Sequence, residues 1–107
     1  MTESEFLALA EQTLDAVERA VEASGADIDA ARSGNVLTLE LADRSKVVIN
    51  SQAPMQQIWI AAKSGGFHFG RVGEQWCDTR DGAELFGALS RIVSAQGGQP
   101  VVLRAGV

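Results

Sequence analysis

The chain is poor in the residues from which most active sites are built. Its 107 residues include one cysteine, Cys77, and one histidine, His68. A lone cysteine cannot close an internal disulfide and fits a reducing compartment. It leaves no Cys-x-x-Cys pair for zinc or an iron-sulfur cluster, and one histidine makes no metal-binding tract. No EF-hand spacing and no Gly-x-Ser-x-Gly elbow is present, which argues against a tight calcium site and against the usual hydrolase machinery. Gly65-Gly66 lacks the following Lys-Ser/Thr and the strand-to-helix setting of a phosphate loop, and is read as a turn. No apolar run approaches the roughly 20 residues that span a bilayer. The N-terminus Met1-Thr2-Glu3-Ser4-Glu5 is acidic where signal and transit peptides are basic, so the expected location is cytoplasmic.

Positive charge is scarce in the first part of the chain. Residues 1–43 carry ten acids against two bases, Arg19 and Arg32, for a net of -8, while residues 44–107 carry seven bases against four acids, for +3. So acidic a pole repels nucleic acid and anionic membrane, and attracts cations or a basic protein patch.

What is present reads as a single α+β domain over 1–107. Hydrophobic residues make up 46% and charged residues 21% of the chain, a composition that supports a packed core. Thr2-Glu3-Ser4-Glu5 has the form of a capping box, and predicts a helix from about residue 3. The helix closes near Ser24-Gly25, with a buried stripe of Phe6, Ala10, Val17 and Val21 flanked by Leu7, Leu9 and Leu14. Residues 27–31 are read as a short edge strand. Residues 36–41, 46–50, 58–62, 66–69 and 74–78 follow as the strands of an antiparallel meander, with 70–73 as a loop. Asp81-Gly82-Ala83-Glu84 resembles a second capping box, opening a helix that buries Leu85, Phe86, Leu89, Ile92 and Val93. Gln96-Gly97-Gly98-Gln99-Pro100 ends it, and Val101-Val102-Leu103 is expected to pack back as an apolar tail. Two helices can cover one sheet face and leave the other open, a two-layer sandwich.

Two surfaces stand out. Glu11, Asp15, Glu18 and Glu22 recur at spacings of four, three and four, which gathers them in one narrow sector of the helix. Like charges so spaced cost a helix roughly 0.2–0.5 kcal/mol per pair. Such a stripe is either a plainly solvated face or a cation-binding one, because hard ions prefer carboxylate oxygens. Asp27 and Asp29 extend it onto the edge strand. Carboxylates one turn apart bridge an ion without enclosing it, so binding there is expected to be weak and unselective. The second surface follows from strand alternation: with Ile58, Ile60, Phe67 and Phe69 inward, Trp59 and His68 face the other side. Trp59 is either a packed tryptophan or a protein-contact anchor. His68 is either a surface histidine or a metal or partner contact.

The stretch Asn50-x-Gln52-x-Pro54-x-x-Gln57-Ile58-Trp59, followed by Lys63-x-Gly65-Gly66-Phe67-His68-Phe69, Gly73 and Trp76, resembles the frataxin family. The resemblance runs from Ser4 to about Leu103. It implies an α-β-α sandwich with two helices on one face of an antiparallel sheet. It further implies an iron-binding protein of iron-sulfur cluster assembly that contacts a cysteine desulfurase and its scaffold protein. By position, weakly held iron, Fe2+ or Fe3+, or another divalent or trivalent cation, would meet Glu11, Asp15, Glu18, Glu22, Asp27 and Asp29. The partner would meet Trp59, Gln57, Asn50, Gln52 and His68. The family further implies a monomer capable of metal-dependent oligomers, and a regulator of the desulfurase or iron donor that is not itself an enzyme. The alternative is an iron(II)-oxidising or iron-storing protein using the same acids. Relatives often carry consecutive acids at the end of the first helix, where this chain has Ala20, Ala23 and Ser24, which favours a regulator over a store.

Overall fold

In the computed structural model, which describes residues 1–107, the first helix, α1, spans Glu3–Ser24. Its start is fixed reciprocally. The Thr2 hydroxyl accepts from the Glu5 amide at 3.1 Å, and the Glu5 carboxylate accepts from the Thr2 amide at 2.8 Å, so two N–H groups that the first turn cannot pair internally are satisfied. Its end is a left-handed Gly25 at φ 69°, a conformation that a side chain would disfavour. The predicted stripe of Phe6, Ala10, Val17 and Val21 is buried, joined by the flanking Leu14 and by Thr13 and Ala20. Leu7 falls outside it and is exposed. The helix is too polar to cross a membrane, and no other helix is long and apolar enough to do so.

Six strands follow in one antiparallel sheet whose spatial order equals the chain order. They are β1 Asp29–Ser33, β2 Val36–Glu40, β3 Lys46–Gln52, β4 Gln57–Ala62, β5 Gly65–Val72 and β6 Gln75–Asp78. The second helix, α2, spans Leu85–Gly97. Alternation sends Leu37, Leu39, Val47, Ile49, Ile58, Ile60, Phe69 and Trp76 to the side covered by the helices, all buried. There they join Leu85, Leu89 and Val93 of α2 in one hydrophobic cluster of 22 residues. At roughly 1.5–3 kcal/mol for each large side chain fully buried, this face fixes the register, because a slip by one residue would turn every strand inside out. The expected α+β sandwich, two helices on one face of an antiparallel sheet, is the observed one.

Several boundaries depart from the sequence reading. The expected 70–73 loop is mostly strand: Gly70 and Arg71 pair with Cys77 and Trp76, and the turn is confined to Gly73, at φ 59°, and Glu74. Ladder hydrogen bonds from the neighbouring strand outweigh the entropic cost of a glycine in a strand. The edge strand starts at Asp29, which leaves Asp27 in the connection from α1. The second capping box does not form. Asp81 accepts from the Ala83 amide within a tight turn, and Glu84 is itself the cap, its carboxylate accepting from the Phe86 amide at 2.8 Å and the Gly87 amide at 3.1 Å. The tail packs back only in part. Leu103 is buried while Val102 is exposed, and the segment is tied to α2 by Ser94 and Ser90, whose hydroxyls accept from the Val101 and Leu103 amides.

Candidate functional site

The acidic stripe of α1 is not bare. Arg32 of β1 stands opposite Leu37, hence on the helix-covered face of the sheet, at the outer strand where the core gives out. Its side chain reaches α1 and is 19% exposed. Nη1 donates to Asp15 Oδ1 at 2.6 Å and to Glu18 Oε1 at 3.0 Å, and Nη2 lies 3.9 Å from Glu11 Oε1. Nε donates to the Gly34 carbonyl at 3.0 Å, which ties the guanidinium to the β1–β2 turn. Partial burial works against the charge on Arg32, but the hydrogen bonds it donates to Asp15 and Glu18, together with their negative charges, outweigh it and raise its pKa above the ordinary arginine value.

The six acids picked from the sequence are therefore divided. Glu11, Asp15 and Glu18 meet around Arg32. Glu22, one turn further on, is exposed and forms no ion pair within 4.0 Å. Asp27 is exposed in the loop, and Asp29, opposite Glu40, faces the uncovered side of the sheet. Nowhere do three Asp, Glu, His or Cys side chains converge closely enough to enclose a metal ion. Such a surface suits an ion that keeps much of its water, held by one or two carboxylates at a time.

On the uncovered face, β3, β4 and β5 place Asn50, Trp59 and His68 side by side in one row, and Gln52 and Gln57 in the next. The Trp59 and His68 rings stack with centroids 4.2 Å apart and planes 11° from parallel. Gln57 Oε1 accepts from the Trp59 indole N–H at 2.8 Å, which sets the ring's orientation on a half-exposed surface. Gly66 and Gly70 flank His68 along β5, so no side chain shields the stack from that strand. The five residues assigned to partner binding thus form one continuous patch. Cys77, opposite Gly70, borders it and is half-buried.

The largest concavity, about 610 Å³, is an open groove elsewhere, lined by residues that include Thr13, Arg71, Trp76, Glu84, Phe86 and Arg104. Neither Cys77 nor His68 reaches it, so no thiol or imidazole is available there as nucleophile or base. Arg32 is the site residue that the sequence reading missed. Its signal was a charged residue on the strand face that alternation assigns to the core, next in space to a stripe of four acids.

An antiparallel meander with two helices on one face, an acidic helix edge and an aromatic patch on the bare face define a two-layer α+β sandwich of the frataxin type. The chain belongs to the frataxin family: the model of the frataxin-like domain matches residues 1–99. It is 61% identical over 109 aligned positions to the iron-sulfur cluster assembly protein CyaY of Janthinobacterium sp. (strain Marseille), with 97% of each chain covered. It is 59% identical, with the same coverage, to the protein of that name from Herminiimonas arsenicoxydans. Among solved structures, a frataxin of the CyaY family from Psychromonas ingrahamii superposes with a TM-score of 0.88 at 37% identity, covering 95% of this chain and 97% of that one. Trimeric frataxin from the yeast Saccharomyces cerevisiae, complexed with ferrous iron, gives 0.66 at 31% identity, covering 92% and 88%.

Proposed function

We propose that this protein is a cytoplasmic, iron-binding component of iron-sulfur cluster assembly that modulates a cysteine desulfurase and carries out no catalysis of its own. The observation that carries the assembly role is the near full-length identity of 61% to a relative named for that process. Iron as the ion is supported by the ferrous complex of the yeast homologue and by the oxygen-only donors along α1, which suit iron better than a soft metal. The ridge of Glu11, Asp15, Glu18 and Glu22, with Asp27 and Asp29 beyond it, receives partly hydrated iron and docks on a basic patch of the desulfurase. The two acts share carboxylates, so bound iron alters how the ridge meets its partner. The row of Asn50, Trp59 and His68, with Gln52 and Gln57, forms the second contact, toward the scaffold protein. The protein acts as a monomer, and metal can drive it into larger assemblies.

Trp59→Ala separates the two surfaces. We predict at least about a tenfold loss of affinity for the assembly partner, the scale of an aromatic hot spot. Iron(II)-induced NMR changes along α1 are expected to stay as in the unmodified protein. Iron signals that appear at His68 and Cys77, with α1 silent, would reverse the assignment.

A further inference from the structure

The centre of the ridge already holds a cation, and it belongs to the chain itself. An apolar residue at position 32 would simply extend the core row that ends at Leu37. The guanidinium instead passes beyond the core, and a single nitrogen, Nη1, contacts both Asp15 and Glu18. That is the bridging place an ion would take between carboxylates on adjacent turns. We infer that Arg32 is an intramolecular competitor on the acidic ridge, so that a metal ion or a partner's basic side chain engages Asp15 and Glu18 only by displacing it. The inference rests on the ridge being the cation-binding surface proposed above.

Three properties make the contact a threshold. The fork is anchored behind by Gly34, so it returns when a competitor leaves. Arginine keeps its proton throughout the pH range in which the protein is folded, so near neutral pH the position is vacated by a competing cation and not by a change in the charge of Arg32. Glu22, outside the fork's reach, stays available to a first incoming ion. Displacing the guanidinium costs the same for every competitor, whereas the attraction gained rises with ionic charge. Monovalent ions are therefore disfavoured, and trivalent ions succeed at lower concentration than divalent ones. A guanidinium from a partner protein would gain by exchange only where further contacts reinforce it.

The test is an amide NMR titration with anaerobic iron(II) chloride and with lanthanum(III) chloride, on the unmodified protein, Arg32→Gln and Arg32→Lys. Arg32→Gln is expected to bind both ions at residues 11–18 at least about fivefold more tightly, the order expected for removing one positive charge a few ångström from a multivalent ion. Arg32→Lys, which keeps the charge and loses the fork, should fall between. In the unmodified protein the Arg32 Nε–H signal should shift in step with the α1 amides as metal is added. Equal affinities in all three proteins, or an Arg32 signal that stays fixed while the α1 amides move, overturns the competition and leaves the ridge as a metal surface. Silence of α1 in every protein removes the metal surface itself. If Arg32→Gln loses the signal dispersion of a folded chain, the Arg32 Nε–H response and the lysine variant decide the matter.

Discussion

Thr13 is the polar residue on the buried side of α1, and its hydroxyl has two partners. It donates to the Leu9 carbonyl at 2.8 Å and accepts from the Trp76 indole N–H at 2.8 Å. The second bond clamps α1 to β6, where the Trp76 ring also meets Phe6 edge-on, at 6.0 Å and 84°. Thr13→Val keeps the shape and orphans the buried indole donor, so it should destabilise the fold by about 1–3 kcal/mol, read from urea unfolding followed by tryptophan fluorescence. Thr13→Ser should recover most of the loss. Two exposed carboxylates shape the acid limb of stability. The Thr2 backbone and then its side chain hold Glu5 below its usual range, and the Ser45 hydroxyl and then its amide do the same for Asp43. Both groups have lowered folded pKa values, so their contributions are present above the ordinary carboxylate range and are lost as pH falls through the lowered values. Thr2→Ala should therefore be weaker than the unmodified protein at neutral pH. The part of that gap carried by Glu5 should close below about pH 4, as thermal melts across a pH series would register.

Among the elements, α1 was the most legible. Thr2 and Glu5 announced its start, Gly25 its end, and the spacing of Phe6, Ala10, Val17 and Val21 its buried side. Local chemistry decides those features, and the sequence states local chemistry directly. The less legible elements were decided by neighbours. Gly70 and Arg71 became strand because β6 lies alongside, and Glu84 became the cap of α2 because the turn at Gly82, φ 77°, absorbs Asp81. The acidic stripe was visible as a pattern, yet its central occupant comes from a strand that begins five residues after α1 ends, and nothing in the helix's own period could reveal it. That occupancy separates acids the pattern treats as equals. Asp15 is paired with Arg32. Glu22 is unpaired, stands one turn from Glu18, and lies in a last turn that contains no basic residue, where a negative charge opposes the helix dipole. Glu22→Gln should raise stability by about 0.5 kcal/mol and Asp15→Asn should lower it, with urea midpoints as the measure. On the iron-binding role proposed above for the ridge, Glu22→Gln should also weaken iron binding, so that the site is held at some cost in stability.

At the scale of the molecule, charge is distributed as unevenly as the covering of the sheet. The first 43 residues carry a net of -8 and the remainder +3, so the molecule has a strong electrical direction. Approach to the basic partner surface proposed above should be steered by it. Raising ionic strength from about 0.05 to 0.3 M, which shortens the screening length to well under 10 Å, should slow association by about tenfold or more while changing dissociation little. Stopped-flow mixing would measure both rates. Trp59→Ala should leave this salt slope intact, because the indole carries no charge.

The sequential strand order has one more outcome. Since each strand pairs only with those before and after it along the chain, the bend between β3 and β4 divides the molecule into two contiguous pieces of three strands and one helix apiece. One piece is strongly acidic and the other slightly basic. The seam between them is one strand ladder, β3–β4, reinforced by the Trp76–Thr13 and Gln96–Ser45 hydrogen bonds and by shared core residues, and across it opposite net charges attract. The protein is in effect assembled from two complementary modules, and the row Asn50–Trp59–His68 straddles their junction, so whatever grips that row holds the modules together.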